Sequence, residues 1–165
     1  MPVPGGSDAT RWQGFHDIAD LVQIKNPPQG YMVNCNTAPS TMMKDCSMTR
    51  DKYLPYIYNL SWEAMTPRGE RLRQLLDPDE SLTKEEAMAY TVDVYDILAE
   101  PWNKALRMAL ETAGAPYESD ADFMKAVEAI LGWDGHFTRE STVAPIIKYW
   151  RMKCDKPIPV LDIAN

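Results

Sequence analysis

The sequence predicts an α+β fold dominated by helix, on three observations. After the rigid Asn26-Pro27-Pro28, the run from Tyr31 to Asn36 places residues suited to a pleated surface in alternation, which predicts a short strand. Apolar residues then recur at three- and four-residue steps over long stretches of the remaining chain, the periodicity of amphipathic helices. Thr83-Lys84-Glu85-Glu86 supplies a capping box, in which the Thr hydroxyl and the Glu carboxylate satisfy each other's exposed amides at a helix start. One or two strands near the front and about four to five helices behind them follow from these patterns.

Residues 1–10 carry Pro, Gly, Ser and Asp without periodicity and are expected to be a flexible lead-in. From Arg11 to Ile24 an irregular apolar set, including Trp12, Phe15, Ile18 and Leu21, predicts a short turn of helix packed ahead of the strand. His16 invites a catalytic assignment, but no Ser or Cys nucleophile is recognisably paired with it, so a surface or packing role is preferred. Pro27 and Pro28 fix φ and remove two donors, and Gly30 releases the chain into the strand. Tyr31, Val33 and Cys35 share one face, while Met32, Asn34 and Asn36 share the other. Asn36-Thr37-Ala38-Pro39 ends it, leaving two amides, Asn34 and Asn36, at the strand's end. Two readings stand for them. Asn favours turns by bonding its own backbone. An uncharged amide N–H aimed at a developing negative oxygen also makes an oxyanion donor, whose loss costs about 3 kcal/mol of barrier.

The three methionines of 40–49 are expected to pack an adaptable loop against its surroundings. The aromatic-rich run Tyr53, Leu54, Tyr56, Ile57, Tyr58, Leu60 and Trp62 is expected to fill core in preference to lining a pocket. Leu72, Leu75 and Leu76 repeat at helical spacing after Arg68 and stop before Asp77-Pro78. The capping box at Thr83 opens a long stripe through Met88, Val92, Tyr95, Ala99, Trp102, Leu106 and Leu110, which Pro101 should kink or divide near Glu100. Gly114-Ala115-Pro116 stops that helix, and Ser119-Asp120 starts the next, with Phe123, Val127, Ile130 and Leu131 inward. Trp133-Asp134-Gly135 makes a turn, and a final helix is expected over Thr138 to Lys153 with Val143, Ile146, Ile147 and Trp150 on one side. Pro145 must fall in its early turns or bend it. Asp93, Asp134 and Glu140 are better read as caps and solvated charges than as acid–base groups. After Pro157 and Pro159 the chain reaches Asn165 through an apolar stretch that reads as unfinished.

With 165 residues, 45% hydrophobic and 10% aromatic, the chain can build one real core and is not of disordered composition. A net charge of −7 gives no footprint for a phosphate backbone or an anionic membrane surface. No apolar run approaches the ~20 residues that span a bilayer, and no basic and apolar leader opens the sequence. Neither nucleic acid nor a membrane is an expected partner. Cys35, Cys46 and Cys154 are too few for a disulfide framework and are read as buried or free thiols, with a Cys35–Cys46 bridge as the oxidised alternative. No His stands at ligand spacing from them and no glycine loop for phosphate occurs, so no metal and no cofactor are expected.

The run Asn26-Pro27-Pro28 with Gly30-Tyr31 and Asn34-Cys35-Asn36 closely resembles the penicillin acylase family of N-terminal-nucleophile hydrolases, in particular its acyl-homoserine-lactone acylase branch. Arg11-Trp12-Gln13-Gly14-Phe15-His16, Pro67-Arg68-Gly69-Glu70-Arg71-Leu72 and Leu131-Gly132-Trp133-Asp134-Gly135 continue the resemblance in the family's order, covering most of Trp12 to Trp150. The resemblance implies a fragment of a β-subunit within an αββα sandwich: a single partial domain, with 11–39 the strand and oxyanion region and 40–165 mainly helical. It implies an amidohydrolase that cleaves an amide by acyl transfer to an N-terminal Ser absent from this chain, whose α-amine serves as base. By its place after Pro67 and ahead of Leu75-Leu76, Arg68 matches the family's arginine that orients active-site groups, and Asn36, the second Asn of its motif, matches the oxyanion donor. Partners implied are a small-molecule acyl amide and the rest of the acylase chains. The resemblance suggests an exported parent, periplasmic or secreted, and places antibiotic biosynthesis among the settings. A non-catalytic remnant or helical interaction module is the alternative. On the fragment reading, the isolated chain is expected to be inactive on acyl amides and to expose an apolar strand edge and a helix face.

Overall fold

The computed structural model describes residues 3–58 and 64–154. Leu60 and Trp62 of the aromatic run, and the stretch from Pro157 to Asn165, lie outside the described residues. The chain divides into two compact units, Met1–Gly69 and Glu70–Asn165. Helix dominates: α1 (Pro67–Leu76), α2 (Lys84–Thr91), α3 (Ala99–Ala113), α4 (Ala121–Leu131) and α5 (Ala144–Lys153), with short 3-10 turns between and ahead of them.

The first unit is built of turns. No strand forms at Tyr31–Asn36, contrary to expectation, and among the described residues the β pairing is confined to an isolated antiparallel bridge between Tyr95 and His136 in the second unit. The alternation itself is present: Val33 and Cys35 are buried, while Met32, Asn34 and Asn36 are exposed. A strand also needs a ladder, and here one backbone bond, from Val33 N to Met42 O at 2.8 Å, ties the segment to its neighbour. Thr37, Ala38, Met43, Met48 and Tyr58 are also buried, so the methionine loop does pack inward. The Tyr58 hydroxyl accepts from Ser40 N and donates to Met48 O, both at 3.1 Å. Tyr56 and Leu54 are exposed, so only part of the aromatic run fills core. Upstream, the expected helical turn is a single 3-10 turn, Ile18–Asp20. It does not pack its apolar neighbours: Trp12 is 91% exposed and Phe15 wholly so. That set had no 3.6-residue period to gather it onto one face.

The second unit has a helical core. Leu106 of α3, Val127 and Ile130 of α4 and Ile147 of α5 are buried together, flanked by Leu110, Phe123, Leu131, Trp133, Val143 and Trp150. Trp102 meets Trp150 edge to face at 5.1 Å, a favoured geometry for two ring quadrupoles. Arg151 lies over Trp102, pairs with Asp96 and donates to Leu98 O at 3.3 Å, tying α5 to the entry of α3. The expected caps are in place: Thr83 and Glu86 make both arms of the capping box on α2, Asp120 accepts from Phe123 N on α4, and Gly114 closes α3.

Two boundaries moved. The long stripe breaks after Thr91 and resumes at Ala99, so Pro101 sits harmlessly in the first turn of α3, where its missing N–H had no helical partner. Backbone pairing explains the break: Asp96 N donates to Gly135 O at 2.8 Å and Phe137 N to Val94 O at 3.0 Å, which a continuous helix could not allow. Met88 and Val92 accordingly stand in solvent. The last helix starts at Ala144, with Pro145 at its beginning and the Ser141 hydroxyl accepting from Ala144 N at 3.1 Å. Ile146, Tyr149 and Met152 remain on its exposed side. None of the described helices is long and apolar enough to cross a membrane.

Candidate functional site

The first unit brings both sequence-selected residues together. Asn26 and Gly30 take positive φ at the two ends of the Pro27-Pro28 turn, and Gly30 N closes it onto Pro27 O at 2.9 Å. The chain then runs extended until Asn34, whose Oδ1 accepts from Asn36 N at 3.2 Å. This i to i+2 bond is the side-chain mimic of a backbone turn. It leaves Asn36 at φ +59°, a left-handed conformation that Asn tolerates better than other side-chain-bearing residues. The turn reading thus describes the backbone of both asparagines and the side chain of Asn34.

The Asn36 side chain is engaged elsewhere. Arg68, the second residue of α1, donates from Nη2 to Asn36 Oδ1 at 2.8 Å. A guanidinium has donors and no acceptor, so its partner must be the amide oxygen, and the amide N–H₂ is directed away from Arg68. Both side chains are exposed. The arrangement can therefore present an oriented, uncharged N–H donor to a ligand oxygen, with a permanent positive charge one bond behind it.

Two neighbours set this pair. Thr66 precedes α1, and its hydroxyl accepts from Gly69 N at 3.2 Å and donates to Cys35 O at 3.2 Å. Gly69 is buried, and a Cβ there would lie 3.4 Å from Cys35 Cβ and overlap the Met65 sulfur. The Thr66-Pro67 pair is a legible helix start, with an N-cap hydroxyl followed by proline at N1. Its reach to Cys35 was not legible, because nothing in the sequence links positions 31 residues apart.

The other polar candidates make contacts of their own or stand in solvent. His16 is exposed with its ring 5.5 Å from that of Tyr56. Asp134 Oδ1 accepts from His136 N at 2.9 Å, a turn bond, and Glu140 is exposed. Asp93 is gripped by both Arg71 Nε and Nη2 at 2.9 Å and also accepts from Tyr95 N. The Arg71 hydrogen bonds hold the Asp93 carboxyl below its ordinary value, and the Asp93 bond raises Arg71, so this is an ion pair and not a proton donor poised near neutrality. The second unit also stacks Arg71 over Tyr95 at 4.7 Å from its centroid. Cys35, Cys46 and Cys154 are free thiols. Among the described residues no group of His, Cys, Asp and Glu is arranged to hold a metal ion.

The penicillin amidase family profile matches residues 1–159. The chain belongs to the penicillin amidase family. Membership places it among acylase-like amidohydrolases. The matched span includes the Asn34–Asn36 turn, the first turn of α1 and the Trp133–Gly135 corner, so the Asn36–Arg68 pair lies inside the family's own territory.

Proposed function

We propose that this chain supplies the oxyanion donor and its orienting arginine to a penicillin amidase that cleaves a linear amide by acyl transfer to an N-terminal Ser contributed from outside residues 1–165. Asn36 Nδ2–H donates to the carbonyl oxygen as it becomes the tetrahedral oxyanion, and Arg68 holds the amide so that its N–H faces that oxygen. The serine's own α-amine takes the hydroxyl proton and later passes it to the leaving amine. The observation that carries this reading is the Arg68 Nη2 to Asn36 Oδ1 bond, which spends the amide's oxygen and so commits its N–H₂ outward. A preorganised neutral donor acts mainly on the transition state because the carbonyl oxygen gains charge only there.

The αββα sandwich belongs to the same proposal. The buried-exposed alternation from Val33 to Asn36 supports it: the segment has the side-chain pattern of a strand and gains its ladder when the rest of the sheet is beside it. The exposed Trp12, Phe15 and Ile18 are then surface for the remaining acylase chains. Within the family, the acyl-homoserine-lactone acylase branch is the assignment favoured by the resemblance of the run from Asn26 to Asn36.

The test is Asn36→Gly in the processed acylase, since glycine keeps the positive φ that Ala would strain. A kcat lower by about 100- to 1,000-fold with little change in KM is expected. Processed and unprocessed forms must be counted separately, because maturation is itself acyl transfer. Near-normal turnover by Asn36→Gly together with an inactive Asn34→Ala would place the donor two positions earlier and overturn the assignment.

A further inference from the structure

We infer that Thr66 is a positioning residue for the oxyanion donor, acting through its hydroxyl on the Cys35–Asn36 peptide as well as on helix α1; the catalytic part of this inference rests on the function proposed above. A hydroxyl has one hydrogen to donate and two lone pairs to accept with. An N-cap Thr uses a lone pair on the helix and ordinarily leaves its hydrogen to solvent. Here the lone pair takes Gly69 N, and the hydrogen is given to Cys35 O, the carbonyl of the peptide bond that enters Asn36.

That location matters. The plane of the Cys35–Asn36 peptide sets the rotation about Asn36 N–Cα, and Asn36 sits at φ +59°, where few neighbouring conformations are allowed. Thr66 thus fixes the backbone of Asn36 from one side while Arg68 fixes its side chain from the other, and both arms leave the same helical turn. The arms are unequal. Arg68 is long and exposed, so it orients the Asn36 amide once the two are in reach but does not itself fix where the helical turn sits against the loop. Thr66 is half-buried with a short, stiff side chain, and buried Gly69 lets the turn close onto Cys35. Register between the turn and the loop therefore comes from Thr66, and Arg68 finds Asn36 because Thr66 has placed the turn.

Three substitutions in the processed acylase separate this role from simple capping. Thr66→Ser keeps both bonds. Thr66→Asp keeps an acceptor for Gly69 N but, being ionised, has no hydrogen for Cys35 O. Thr66→Val has neither. Thr66→Ser is expected to retain turnover, whereas Asp and Val each lower kcat by about tenfold with KM nearly constant. The Asp deficit should persist at high salt, where a through-space effect of its charge would be screened. In the ¹⁵N-labelled processed acylase, the two Asn36 side-chain amide proton resonances should keep their native shifts in Thr66→Ser and move toward random-coil positions in Thr66→Asp, since a freely rotating side chain loses the shifts of a fixed environment. Thr66→Asp with wild-type kcat and an unchanged Asn36 amide would reduce Thr66 to a helix cap and overturn the inference, even if Thr66→Val fails to fold. The amide signal also separates the two failures: if Asn36→Gly proves fully active, the oxyanion assignment falls, yet the Asn36 resonances still decide whether Thr66 positions that side chain.

Discussion

Arg68 donates to the amide oxygen of Asn36 across 32 residues of sequence, and this bond decides which end of the amide faces outward. Arg68 sits at the second position of α1, so its reach is set by a capped helical turn and not by a loop. Lys would keep the charge but lose the planar fork that points one N–H along the turn.

Arg68→Lys and Arg68→Ala should therefore differ in degree and agree in kind. In the processed acylase, Ala should cost about 10- to 100-fold in kcat and Lys should recover only part of it, because the amide orientation depends on a directed donor. Steady-state kinetics on a chromogenic acyl amide would show this. Arg68→Ala with unchanged kcat and raised KM would mean that Arg68 binds substrate and does not orient Asn36.

The Asp93–Arg71 pair makes a pH prediction in the second unit. Its side chains are 19% and 25% exposed, so Asp93→Asn should cost about 1–2 kcal/mol at neutral pH, discounted for partial solvation. The folded Asp93 carboxyl titrates below its ordinary 3.8 because Arg71 bonds it. A depressed carboxylate contributes stability that is fully present above the unfolded pKa and is lost as pH falls through the folded one. Arg71 stays protonated throughout. Urea unfolding should show wild type and Asp93→Asn converging below about pH 4; a gap that stays constant down to full protonation would assign the loss to packing.

Helix α2 offers a cleaner local test. All its residues are exposed or half-buried, so the capping box carries much of its start: Thr83 N and Oγ1 bond Glu86 Oε2 at 2.8 and 2.6 Å, and Glu86 N returns to Thr83 Oγ1 at 3.2 Å. Thr83→Ala should lower stability by about 1 kcal/mol and speed hydrogen exchange at Glu86 N and Ala87 N. Unchanged exchange at both amides would show that contacts outside the box hold the turn.

What the sequence could show and what it could not divide along physical lines. Caps at Thr83 and Asp120, the stop at Gly114 and the core face of Leu106, Val127, Ile130 and Ile147 are local patterns, and all were legible. The break between Thr91 and Ala99 was not, because it is made by backbone pairing with Gly135 and Phe137, and distant partners override helical periodicity. The Tyr31–Asn36 alternation was legible as a face pattern but not as a strand, since a ladder is a property of two segments. At the candidate site, Asn36 and Arg68 were reached through motif resemblance, and spacing by itself would not have picked Arg68 from Arg71 or Arg73. Thr66 was passed over in the sequence, although a Thr ahead of a Pro is a cap signal, and its tether to Cys35 has no local signature.

Tyr58 provides the last prediction, on the loop that follows Asn36. Its ring is 1% exposed, and its hydroxyl bridges Ser40 N to Met48 O, closing the methionine loop over buried Met43 and Met48. Tyr58→Phe keeps the ring against Tyr53, 6.1 Å between centroids, and removes only the oxygen. Ser40 N then lacks its acceptor and Met48 O its donor. Each group left unpaired in a half-buried setting costs about 1–3 kcal/mol, less whatever water recovers. Because Met42 O is the acceptor for Val33 N, slackening of 38–48 should also reach the segment leading into Asn36. Hydrogen exchange should quicken at Ser40 and Val33 in Tyr58→Phe while amides of α4, whose core residues Val127 and Ile130 lie in the other unit, keep their protection. Uniform acceleration in both units would mean that the loss is global, and unchanged exchange at Ser40 would mean that the hydroxyl bridge does not hold this loop.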